Sequence, residues 1–156
     1  IKLLIICMVI YMNKVKNEIE ILDFLNAEVL MEKDTYSFII KKEKENIKNK
    51  VEKKLSDEFL KKIGEIIIEY NKFLNSINKM LKNRGKEIKK EDLLFRVMSY
   101  FSTDESDTEE EIKKHLSHGT EVVKNRIYEK IQENQEISKT IQNLILRLIN
   151  FQNTII

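Results

Sequence analysis

The sequence predicts an all-α protein, a single helical bundle of five or six helices with a long C-terminal helix. Three observations point there. Apolar residues recur at steps of three and four through long Lys/Glu-rich segments, the spacing that gathers side chains on one helical face. The 156 residues hold no proline and three glycines, too few turn formers for a fold of many short strands. Isoleucine is abundant and favours strands, yet apolar–polar alternation is nowhere sustained for six residues. The length fits one domain that buries roughly two-thirds of its unfolded surface, enough to hold together without a metal or a disulfide.

The chain opens on an unbroken apolar run, Leu3 to Met12 (LLIICMVIYM), between Lys2 and Lys14. Ten residues are too few to span a bilayer but suit the core of a signal peptide. No small-x-small cleavage triplet comes after it, and bulky Ile6 precedes Cys7 where a lipoprotein signal takes a small residue. Three readings stay open for residues 1–12: an export or anchoring signal, a buried first turn or strand, or sequence ahead of a start at Met12. Ile at position 1 and the NTII ending leave truncation open at both ends. The organisation read from the chain is thus an apolar segment, 1–12, and a helical bundle domain, 13–156.

From Asn13 onward, Val15, Ile19, Leu22, Leu25 and Val29 share one helical face. Glu32 to Ser37 interrupts the pattern and is expected to break the helix, with Asp34 or Ser37 capping the next one. Residues 38–55 carry a thin stripe of Ile40, Ile47, Val51 and Leu55 among many lysines, expected as an exposed helix resting on one narrow seam. Ser56 and Asp57 are good N-caps for the clearest element. In it Leu60, Ile63, Ile67, Tyr70, Leu74, Ile77 and Leu81 repeat over three heptads, a coiled-coil-grade stripe that Gly85 is placed to end in a left-handed cap. Gly64 lies inside this helix and calls for a packing reason. A shorter helix is expected over Lys89 to Phe101. Thr108 and Glu111 then have capping-box spacing, opening a helix expected to stop at Gly119. Thr120 begins the expected last and longest helix, whose stripe runs from Val123 through Ile127, Ile141, Leu144 and Leu148 to Ile155, with Asn134 marking a kink or polar layer.

Composition excludes more than it assigns. The glycines stand far apart, at 64, 85 and 119, so no Walker loop or dinucleotide fingerprint is present. A lone cysteine excludes an intramolecular disulfide and a cysteine-based zinc site. The formal charge is +2 and the pI 8.5, short of a dedicated nucleic-acid binder. No serine sits in a nucleophile elbow, and neither histidine has a recognisable nucleophile partner. No catalytic residue and no cofactor are expected.

Two local constellations are candidates for binding. Glu111, His115 and His118 fall on one helical face, close enough to share a metal ion. Histidines in the last turn before Gly119 would also simply complement the helix dipole, and this is the preferred reading. Acidic residues from Asp104 to Glu111 lack the glycine and terminal glutamate of a calcium loop and serve the start of a helix. The second constellation is basic: Lys79, Lys82, Arg84, Lys86, Lys89 and Lys90 crowd a helix corner that could attract a polyanion or an acidic protein surface. No aromatic residue is interleaved there to stack bases.

In its composition and apolar start the chain resembles the small Lys/Ile/Asn/Glu-rich helical surface proteins of host-associated bacteria, such as spirochaetal lipoproteins. That resemblance implies an exported protein that binds host proteins. With a bundle pattern and no catalytic motif, the expected function is non-enzymatic: a helical-bundle interaction protein that binds a host or partner macromolecule, most readily a protein, with an exported or cell-surface location and a cytoplasmic one equally open. Two alternatives remain. One is an intracellular regulatory protein that meets nucleic acid or another polyanion through residues 79–90; the other is a metal-binding protein using Glu111, His115 and His118. Membrane contact is expected only through the N-terminal apolar segment.

Overall fold

A computed structural model of the chain describes residues 1–87, 108–134 and 136–155. The described residues are 86% helical, and no strand occurs among them. There are four helices among them: α1 (Lys2–Lys48), α2 (Asp57–Asn83), α3 (Glu109–Glu133) and α4 (Lys139–Thr154). The all-α class therefore stands, while the expected five or six helices are not matched. The helix expected over Lys89 to Phe101 and the acidic run from Asp104 to Asp107 lie outside the described residues.

The largest departure is α1, one helix of 47 residues in which Glu32 to Ser37 makes no break. Thr35 and Ser37 donate their hydroxyls to the carbonyls of Met31 and Lys33, one turn back, and so cap nothing. The reason is register. Residues 18, 22, 25, 29, 32, 36, 39 and 43 step by four and three, and all eight are buried. Three of them are glutamates, which continue the core stripe because groups outside α1 supply their hydrogen bonds. Glu43 accepts from the N–H groups of Lys54 and Leu55 (2.8 and 3.0 Å), pinning the loop that leads into α2.

α2 forms as expected. Ser56 caps it, accepting from the N–H of Phe59, and Gly85 takes the left-handed conformation (φ +76°) just beyond its end. Its buried face is Phe59, Ile63, Ile66, Tyr70, Leu74, Ile77 and Leu81, with Leu60 and Ile67 on the flanks. Gly64 has no packing reason: a Cβ there would meet nothing within 4 Å.

The two C-terminal expectations are corrected together. Thr108 and Glu111 do form the reciprocal capping box, but the helix they open passes straight through Gly119 to Glu133. Ile112, Leu116, Thr120, Val123 and Ile127 seat one unbroken face across the glycine, and that burial outweighs its cost of about 1 kcal/mol. The long C-terminal helix is in turn divided: Asn134 closes α3, and Ser138 caps α4 by accepting from Ile141 N–H. At 16 residues α4 is the shortest of the four, and the longest is N-terminal.

Cross-links define the directions. Glu18 meets Arg84 and Glu43 meets Leu55, so α2 runs antiparallel to α1. Ser56 donates to Glu109, and Lys130 reaches Glu20, so α3 also runs antiparallel to α1. Lys124 holds Asn153, which returns α4 along α3. At the centre, Tyr70 stacks edge-on against Phe151 (5.3 Å) and lies 6.0 Å from Tyr36. Residues 1–14 are all exposed, so α1 projects about 20 Å past its packed part.

Candidate functional site

Two places combine unusual chemistry with unusual placement. The first is the projecting end of α1. Every large apolar side chain from Leu3 to Met12 is at least half exposed, from 51% at Val9 to 75% at Leu3. The run is apolar around the whole helix rather than along one stripe, and Cys7 lies exposed within it. Its ten residues measure about 15 Å, half the thickness of a bilayer's hydrocarbon core. No helix among the described residues is long and apolar enough to cross a membrane. Lys14 and Lys16 are exposed where the apolar run ends.

The second is a buried polar cluster where all four helices meet. Glu32 Oε2 accepts from the hydroxyl of Tyr70 on α2 and from Nε2 of Gln152 on α4, each at 2.7 Å. Thr120 of α3 neighbours both Glu32 and Tyr36. Glu32 Oε1, Tyr36 OH, Thr120 Oγ1 and Gln152 Oε1 are fully buried with no hydrogen-bond partner among the described residues. A cavity of about 30 Å³, lined in part by Glu32, Thr35, Tyr36, His115 and Thr120, adjoins them and has the size of a single water. Burial pushes the Glu32 carboxyl up to about 7, with the donors from Tyr70 and Gln152 pulling it back and Glu28 adding repulsion. Burial likewise raises the Tyr36 and Tyr70 phenols, and the Glu32 carboxylate adds to both shifts. The cluster can bind and release a proton near neutral pH.

Sequence reasoning passed over this cluster because Glu32 read as a helix breaker. The available signal was the step pattern from Val29 through Glu32 to Tyr36 and Ile39, which keeps the glutamate on the core face.

The sequence-derived candidates fall differently. Glu111 is committed to its cap: Oε2 accepts from the N–H of Thr108 at 2.7 Å, and that bond holds its carboxyl below the usual range. His115 and His118 sit in mid-helix, far from the C-cap at Asn134, so the expected dipole role for them is overturned by the continuation of α3. Among the described residues no group of three or more His, Cys, Asp or Glu could hold a metal ion.

The basic corner is divided. Arg84 bonds Glu18 of α1 (2.7 Å) and Lys86 bonds Asp23 (3.2 Å), so two of its cations tie helices together. Lys79 and Lys82 lie beside an open hollow of about 850 Å³ that Asn75, Asn78 and Lys86 also line. Lys89 and Lys90 lie outside the described residues. The anionic partners of Arg84 and Lys86 come from α1, which sequence spacing could not reveal.

Compared with protein-family models, with curated proteins and with solved structures, the chain matches none.

Proposed function

We propose that this protein is a non-enzymatic helical interaction module held at a lipid surface by the projecting end of α1. The observation that carries this reading is the exposure of an all-round apolar helix that continues into the bundle without a break. A helix that is apolar all round needs apolar surroundings on every face, which lipid hydrocarbon supplies and a protein groove covering one face does not.

Magnitudes favour insertion. Burying the nine large apolar side chains between Leu3 and Met12 gains more than about 10 kcal/mol, against about 3 kcal/mol for carrying Lys2 into hydrocarbon. Lys14 and Lys16 then lie at headgroup level, where each basic residue near an anionic surface adds about 1 kcal/mol. At this length the helix enters one leaflet, and the bundle stands on the membrane with α1 as its stem. The bundle carries the partner-binding role, and a protein partner fits its mixed-charge surface better than a polyanion does, because Arg84 and Lys86 are already paired.

The test is flotation of the full chain with vesicles of phosphatidylcholine and phosphatidylglycerol. The protein is expected to float with the vesicles. The variant Ile5→Ser/Ile6→Ser/Val9→Ser/Ile10→Ser is expected to stay in the dense fraction while its bundle melts unchanged. Flotation that survives the four serines, or no flotation of the original chain, overturns the reading.

A further inference from the structure

Three side chains at the centre of the bundle are short of hydrogen-bond partners. Glu32, Tyr36 and Thr120 are 5%, 2% and 4% exposed. Glu32 Oε1, the Tyr36 hydroxyl and Thr120 Oγ1 meet no hydrogen-bond partner among the described residues. All three side chains line the cavity of about 30 Å³ between α1 and α3, and Gly119 adds no side chain to its wall. Folded proteins pair nearly all such buried groups, using ordered water where protein atoms do not reach.

We propose that this cavity is a binding site for one water molecule, held by these three oxygens and serving as the partner of Glu32 whether its carboxyl is charged or protonated. Size excludes an organic ligand, since the space matches one water's share of the liquid. Chemistry excludes a metal ion. Tyr36 and Thr120 can each turn a hydrogen toward the occupant, which a cation repels and a water accepts. Met31, Leu116 and Val123 add apolar surface to the lining, where a hard cation needs about six oxygens. A water has two hydrogens and two lone pairs, so it accepts from both hydroxyls while donating to the Glu32 carboxylate. Glu32 Oε2 already accepts from Tyr70 and Gln152, so a proton taken up by the carboxyl goes to Oε1. The acid then donates to the water, which turns a hydrogen to the Tyr36 or Thr120 oxygen. A fixed donor in the same place serves only the carboxylate; water serves both states because it reverses its role.

This proposal is independent of the lipid stem. A high-resolution crystal structure of the full chain, grown in nonionic detergent that covers residues 3–12, is expected to show one water within about 2.6–3.2 Å of all three oxygens. Glu32→Gln is expected to keep that water, because the amide still offers it a hydrogen. Tyr36→Phe with Thr120→Val removes two of its three partners and is expected to lose it. The original chain decides the matter even if the double variant fails to fold. The inference is overturned by an empty cavity in the original chain, by a metal ion recognised there through its shorter contacts, or by a water that stays after both hydroxyls are gone.

Discussion

Replacing Glu32 by Gln is the sharpest probe of how the bundle is held together. In the folded chain this carboxyl titrates near 7, against 4.5 for the free group, because it is buried. The folded state therefore binds its proton more tightly than the unfolded state does. The protonated carboxyl is fully accommodated below about pH 4.5, and stability falls as pH rises from there through about 7. A gap of this size corresponds to about 3 kcal/mol, most of which is lost between about pH 5 and about pH 8. For a chain of this length that is a fall of about 5–10 °C in melting temperature. Glu20, Glu109 and Glu111 act in the opposite direction, held below the ordinary range by Lys130, the Ser56 N–H and the Thr108 N–H. Their stabilisation is lost only as pH falls below about 4.5, outside this window. Gln at position 32 keeps an acceptor for Tyr70 and Gln152 and offers an N–H to the cavity side, where Tyr36 and Thr120 have unused oxygens. The variant is expected to melt at the same temperature at both pH values and above the original chain at about pH 8. Thermal unfolding followed by far-UV circular dichroism reads both. The reasoning is refuted if the original chain is as stable at about pH 8 as at about pH 5, or if Glu32→Gln keeps its slope.

The packing sets two more outcomes. Gly64→Ala is expected to raise stability by about 1 kcal/mol in denaturant titration, since helix propensity improves and the added Cβ meets nothing within 4 Å. Arg84→Met strands the buried Glu18 carboxylate and is expected to cost about 3 kcal/mol, whereas the double variant with Glu18→Leu recovers most of that loss in the same titration.

Much of this fold was legible in residue spacing, and the failures share a cause. Ser56, Gly85 and the pair Thr108 and Glu111 read correctly because capping is a local transaction between groups a few bonds apart. Glu32 and Gly119 read as breaks because, taken alone, each is a poor core or helix residue. Glu32 is buried through donors 38 and 120 residues away, and Gly119 is carried by a continuous face on α3. Within the basic corner, the pairing of Arg84 and Lys86 was likewise invisible while Glu18 and Asp23 were unplaced.

By itself the sequence determined the helical class, the starts of α2 and α3 and the apolar character of residues 3–12, all properties that depend on neighbours within a turn or two. Tertiary structure alone decided that the apolar run stands clear of the core and that Arg84 and Lys86 serve cohesion. It alone gathered Glu32, Tyr36, Tyr70, Thr120 and Gln152 from four helices into one buried cluster. The division is physical: periodicity says which face of a helix is apolar, but only packing says what that face, or a carboxylate lying on it, will meet.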